Sequence, residues 1–187
     1  MKWKQLVSLK KGIWHLVKIE LLSERNFCIK SLDFYSRKQE VNKVYRKIDG
    51  DLTLVECKYT EDWDLNKKRS IAKKISGEDY ITYLALKDDK VVGFISLLRK
   101  LDGPYMILDM MQVSSECRGL GIGRQLFEAG KEEARKNDAD ALYISACSSE
   151  ETVAFYRAMG SELADNPIKK IAEEEPFDLQ MICPVKG

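Results

Sequence analysis

The feature that most constrains this chain is a set of three glycines at alternate positions, within Arg118-Gly119-Leu120-Gly121-Ile122-Gly123. Before it runs the apolar stretch Tyr105 to Val113, broken only by Asp109 and Gln112, which reads as a strand covered on both faces. After it, Ile122, Leu126, Phe127, Gly130 and Ala134 fall along one side of a helix. Glycine lacks a Cβ, so a chain leaving a strand for a helix can take positive φ there and come close to a ligand. The first N–H groups of the helix then point outward unspent, and the helix dipole favours an anion beside them. Arg118 and Arg124 add positive charge at the rim. The predicted ligand is a diphosphate.

Two familiar phosphate loops do not fit. The dinucleotide pattern G-x-G-x-x-G requires its third glycine where Arg124 stands, and no G-x-x-x-x-G-K-[ST] occurs. The residues fit R-x-x-G-x-G instead.

Composition narrows the function further. At 187 residues the chain suits one domain, and 44% hydrophobic residues suffice for a packed core. With 31 basic and 30 acidic residues the net charge is +1, which argues against a nucleic-acid partner held by a broad basic face. No apolar run approaches the ~20 residues a bilayer requires, so no membrane partner is expected. Residues 1–22 are interrupted by Lys10, Lys11, His15, Lys18 and Glu20, and no small-residue cleavage site follows; a cytoplasmic address is expected. Cys28, Cys57, Cys117, Cys147 and Cys183 are scattered without C-x-x-C spacing and read as reduced thiols. With His15 the lone histidine, neither a metal cage nor a histidine-based triad is expected.

No repeat or linker divides the chain, so residues 1–187 are read as one domain. Residues 13–21 predict a first strand. Val41, Val44, Tyr45 and Ile48 follow the i, i+3, i+4, i+7 spacing of a helix, ended by Asp49-Gly50. A second helix is predicted after Asp64, a good N-cap, stopping near Gly77. Tyr80–Leu86 and Val91–Leu98 flank the turn Lys87-Asp88-Asp89-Lys90 as a hairpin. Ala141–Ala146 predicts another strand and Glu150–Met159 a helix closed by Gly160. Ile168–Val185 predicts a final hairpin turning at Glu173-Glu174-Glu175-Pro176. The fold class expected is α/β (α+β), a central mixed β-sheet flanked by helices, not a doubly wound sheet.

The segment Arg118–Gly123 resembles the pyrophosphate-binding motif of the GNAT acetyltransferase superfamily. Phe155-Tyr156-Arg157-Ala158-Met159-Gly160 resembles the same family's FYxxxG helix, and the element order from about residue 80 to 185 is similar throughout. The resemblance implies the GNAT acyl-CoA N-acyltransferase fold, with residues 1–78 on the acceptor side and 79–187 as the acetyl-CoA-binding core. It implies acetyl-CoA as co-substrate, no metal, and an N-acetyltransferase acting directly on a primary amine. A catalytically silent CoA-binding regulatory or interaction protein is the competing reading.

Residue roles follow from the resemblance. Met111, Gln112 and Val113 lie on a strand that bulges and splays to receive the pantetheine arm, with the Met111 N–H polarising the thioester carbonyl. Arg118, Gly119, Leu120, Gly121, Ile122, Gly123 and Arg124 grip the diphosphate. Tyr156 stands where a tyrosine protonates the departing thiolate; a packed core tyrosine is the plain alternative. Ser149 replaces an asparagine that often contacts the arm, and Thr152 replaces an alanine. Asp109, the lone carboxylate of its strand, is either a base acting through water or a salt-bridge partner. Tyr59, Asp62 and Trp63 suit a cationic acceptor, of small-molecule or peptide type, although Trp63 covering core and Asp64 capping a helix explain that region equally. Cys147 lacks an activating histidine and reads as structural. A monomer or homodimer is expected.

Overall fold

Asp88 and Asp89 both take positive φ, 49° and 58°, the backbone that a two-residue hairpin demands. They join β4 (Tyr80–Lys87) to β5 (Lys90–Leu98) in the hairpin that the sequence predicts. Around this hairpin the computed structural model, which describes residues 17–186, builds a seven-stranded mixed sheet. β1 (Val17–Leu21) pairs with the outer edge of β4; the earlier part of the expected first strand lies outside the described residues. β6 (Tyr105–Val113) runs antiparallel to β5 and parallel to β7 (Ala141–Ala146). β9 (Leu179–Pro184) continues the sheet beside β7, and the short β8 (Glu162–Leu163) closes that edge.

Helices cover both faces, and each face has its own apolar cluster. α2 (Ile122–Lys136) crosses one face, where Leu126, Phe127 and Ala134 meet Ile95, Leu97, Met106 and Leu142. Its approach is close because Gly130 carries no side chain: a Cβ there would lie 2.6 Å from Ile95 Cδ1. α3 (Glu150–Ala158) sends Tyr156 into the same cluster. On the opposite face α1 (Leu65–Ile75) buries Ile71, Ala72 and Ile75 against Leu84, Leu86 and Phe94. Asp64 caps it as expected, accepting from the Lys67 N–H at 2.7 Å. Phe27, Leu32 and Tyr35 of the segment after β1 fill that second cluster.

Two elements differ from expectation. Residues 39–61 form not a helix but a separate hairpin, β2 (Gln39–Ile48) with β3 (Asp51–Glu61). A register shift between Val41 and Lys43 lets Val41 and Val44, three apart, both be buried, so a bulged strand imitates helical spacing. Asp49 and Gly50, at φ 52° and 94°, are its hairpin turn and not a helix end. The tail also differs. Lys169–Glu174 forms a short helix, α4, helped by strong helix formers and the Lys169–Glu173 pair at i, i+4. The partner of β9 within this tail is therefore β8, not a strand beginning at Ile168.

Candidate active site

β6 and β7 are paired only from Tyr105 to Leu108 against Ala141 to Ile144. Past Leu108 the register of β6 on β5 slips by one residue, since Leu97 faces Leu108 while Ser96 faces Met110. Asp109 is the extra residue, so the bulge sits at the carboxylate. Beyond it β6 follows β5 and β7 follows β9, and a gap opens between two parallel strands.

Strand alternation fixes what faces the gap. Ser114 donates to the Val92 carbonyl at 2.8 Å, which puts Gln112 and Met110 in the pairs hydrogen-bonded to β5. Met111 and Val113 therefore turn their N–H and C=O groups toward the opening. Their side chains pack on the α2-side cluster. The Val113 carbonyl is met by Arg118 Nε at 3.1 Å, and the same guanidinium reaches the Arg37 carbonyl at 3.1 Å. Burial, with the nearby Arg37 charge, lowers the Arg118 pKa from its ordinary value.

The glycine turn closes one end of this gap. Gly119 and Gly121 take φ of 72° and 77°, and Gly121 is the N-cap of α2. No side chain caps the helix, and no acidic residue sits in its first turn. The N-terminal donors therefore face no internal anion. Gly123 has a different reason to be glycine: a Cβ would stand 3.2 Å from Phe155 Cε2 and 3.7 Å from Met111 Cε. Leu120 is partly buried against the core, Ile122 is buried, and Arg124 is exposed. The start of α2, the end of β6 and the FYxxxG helix thus converge on one point.

Tyr156 lies beside that point, its ring 5.3 Å from Phe155 and 5.8 Å from Phe127. Burial first, then the neighbouring Cys147 and Asp178, pushes its phenol well above the ordinary tyrosine range, so it stays protonated at neutral pH.

The remaining predicted residues divide. Asp109 pairs with Lys74 of α1, its two oxygens 2.9 and 2.8 Å from Nζ, which turns the carboxylate to the α1 face. Ser149 is fully buried and caps α3: it accepts from the Thr152 N–H at 3.3 Å and donates to Thr152 Oγ1 at 2.8 Å. Trp63 stacks on Tyr35 at 6.1 Å with Arg37 over its ring at 5.7 Å, and Asp62 is exposed, accepting from the Trp63 N–H. Tyr59 lies nearer the opening. Burial, then Cys147 and Glu61, raises its phenol to about 12.

One carboxylate has no sequence signal. Asp178 precedes β9, and only the pairing of Ala146 with Leu179 reveals that it sits across from Cys147, just past the end of β7. Burial, then Glu175 and Glu61, raises its carboxyl to about 6, against the opposing pull of Arg46. Among the described residues no group of three or more metal-ligating side chains converges, and no helix is long and apolar enough to cross a membrane.

A mixed sheet split between two parallel strands, with a glycine-started helix at the split, is the acetyltransferase architecture that the sequence resembles. The chain belongs to the GNAT acetyltransferase family, whose acetyltransferase (GNAT) domain matches residues 48–170. Among solved structures, nourseothricin acetyltransferase aligns with a TM-score of 0.70 at 19% identity, over 91% of this chain and 99% of that one. A Bacillus anthracis protein assigned as a streptothricin acetyltransferase, in complex with acetyl coenzyme A, aligns with a TM-score of 0.65 at 17% identity, over 89% and 95%. The ribosomal-protein-S18-alanine N-acetyltransferase of Escherichia coli aligns with a TM-score of 0.57 at 16% identity, over 91% and 95%. At these identities the likeness is one of fold. No curated protein sequence matches the chain.

Proposed function

We propose that this protein transfers an acetyl group from acetyl-CoA directly to a primary amine. The observation that carries the reading is the coincidence, at one opening, of an uncapped helix N-terminus, unpaired strand donors and a protonated tyrosine. Acetyl-CoA supplies an activated thioester; the rest is done by the chain. The N–H groups after Gly121, with Arg118 and Arg124 at the rim, receive the diphosphate. The edge of β6 at Met111 to Val113 pairs with the pantetheine amides as a strand would. The Met111 N–H donates to the acetyl carbonyl oxygen, where it matters most as negative charge grows there. Tyr156 protonates the sulfur as it leaves.

Ser149 takes no part in this scheme, because its hydroxyl is occupied by the α3 cap. Asp109 serves by holding the bulge through Lys74. The acceptor approaches from the side of Tyr59, and nucleophilic catalysis by Cys147 is not required. CoA-thiol release measured across a panel of amines tests the reading. Wild-type protein is expected to release thiol, with kcat reduced about 10²-fold in Tyr156→Phe and little change in the KM for acetyl-CoA. Acetyl-CoA binding without release for any amine would favour the silent CoA-binding reading instead.

A further inference from the structure

The acetyl-transfer reading leaves one step without a group to perform it. An amine of pKa about 10 arrives as an ammonium and must lose a proton before it can attack. Asp109 is held in an ion pair by Lys74, whereas a carboxylate without such a partner stands at the mouth of the gap.

That mouth has two walls. One is the turn between α4 and β9, where the β7–β9 register seats Asp178 across from Cys147. The other is the β2–β3 hairpin, docked by a bridge between Val44 and Ser149 and by the Tyr45 N–H on the Ser148 carbonyl at 2.8 Å. The charged and titratable groups facing Asp178 are Cys147 after β7, Glu175 from its own turn, Glu61 from β3, Arg46 from β2 and Tyr156 from α3. Glu61 is already paired with Arg37. Arg46 is spent on the Ser148 hydroxyl at 2.6 Å and over the Phe177 ring at 5.1 Å. Among the described residues Asp178 forms no ion pair, so its charge is left for something that is not part of the fold.

Tyr156 lies beside the same wall. It is 6% exposed, among the described residues its hydroxyl makes no hydrogen bond within the fold, and Cys147 and Asp178 are its titratable neighbours. A phenol and an unpaired carboxylate thus lie close together past the end of β7. A phenol held protonated and a carboxylate ionised at neutral pH form an acid and base pair.

We propose that Asp178 is the catalytic base of the acceptor side, and that its unpaired carboxylate selects a cationic primary amine. The assignment rests on the acetyl-transfer reading above. An N–H proton of the ammonium passes to the Asp178 carboxylate, and the freed lone pair forms the N–C bond at the acetyl carbonyl. The C–S bond breaks with its electron pair going to sulfur, which takes the Tyr156 proton. Nitrogen gives up its second proton as the intermediate collapses, and that proton restores Tyr156 through solvent; Asp178 returns the first to solvent, so one proton is released per acetyl transferred.

The test is kcat/KM for streptothricin, spermidine and lysine amide as a function of pH, in wild type, Asp178→Asn and Asp178→Glu. Asp178→Asn is expected to lose about 10²-fold in kcat/KM near pH 7. It loses the acid limb of the profile and recovers toward pH 10 as the amine deprotonates unaided, with the KM for acetyl-CoA unmoved. Asp178→Glu keeps a carboxylate and with it an acid limb. A folded Asp178→Asn with the wild-type profile overturns the assignment alone, as does a pH-independent loss accompanied by a raised acetyl-CoA KM. Wild-type protein that transfers acetyl to none of these amines overturns the underlying reading and this one with it.

Discussion

Gly121 and Gly123 are both glycine, for reasons two residues apart and physically unrelated. Gly121 sits at φ 77°, where any side chain is strained by about 1 kcal/mol whatever room it has. Gly123 has no such backbone demand; its missing Cβ lets the Phe155 ring approach. Gly121→Glu, which also places a negative charge at the helix N-terminus, is expected to weaken acetyl-CoA binding at least tenfold by titration calorimetry while leaving the fold intact. Gly123→Val is expected instead to cost about 1–3 kcal/mol of stability, read as a lower Tm, because Phe155 and then Tyr156 must move. Asp178 gives a prediction of opposite sign. Its carboxyl is raised to about 6 from 3.8, so the folded state holds the proton more tightly than the unfolded chain. The native form therefore loses stability as pH rises through that window. Asp178→Asn removes this loss and is expected to melt higher than wild type above pH 6, with the difference gone below pH 4.

At the scale of elements, the helix cap at Asp64 was readable because its chemistry is local. Asp64→Ala is expected to lower stability by about 1 kcal/mol in a denaturant titration, with acetyl-CoA affinity unchanged. The glycine turn, the β4–β5 hairpin and α3 were legible for the same reason: each is written in a few neighbouring residues. The β2–β3 hairpin was misread because a register shift places Val41 and Val44 at helical spacing, although Asp49-Gly50 already carried a hairpin signal. The β6 bulge was legible only through family resemblance. Its exact place at Asp109, and the ion pair of this carboxylate with Lys74, depend on α1 arriving from 35 residues earlier in the chain. Asp178 was invisible because a carboxylate before a strand means nothing until the strand's neighbour is known.

The whole molecule is organised about the split in its sheet. The α2-side cluster holds the glycine turn and Tyr156, the α1-side cluster holds Asp109 through Lys74, and the β2–β3 hairpin with the β9 turn frames the mouth. A ligand that spans these parts stabilises them together. Acetyl-CoA at 100 times its Kd adds about 2.7 kcal/mol, expected as a Tm rise of several degrees that Gly121→Glu abolishes. The reaction itself is tested most directly by a single turnover with acetyl-CoA labelled in the acetyl group, followed by separation of protein from amine. Direct transfer predicts that the label appears on the amine and that none is retained on the protein. Label bound covalently to the chain, or remaining wholly in acetyl-CoA while the cofactor stays bound, would contradict it.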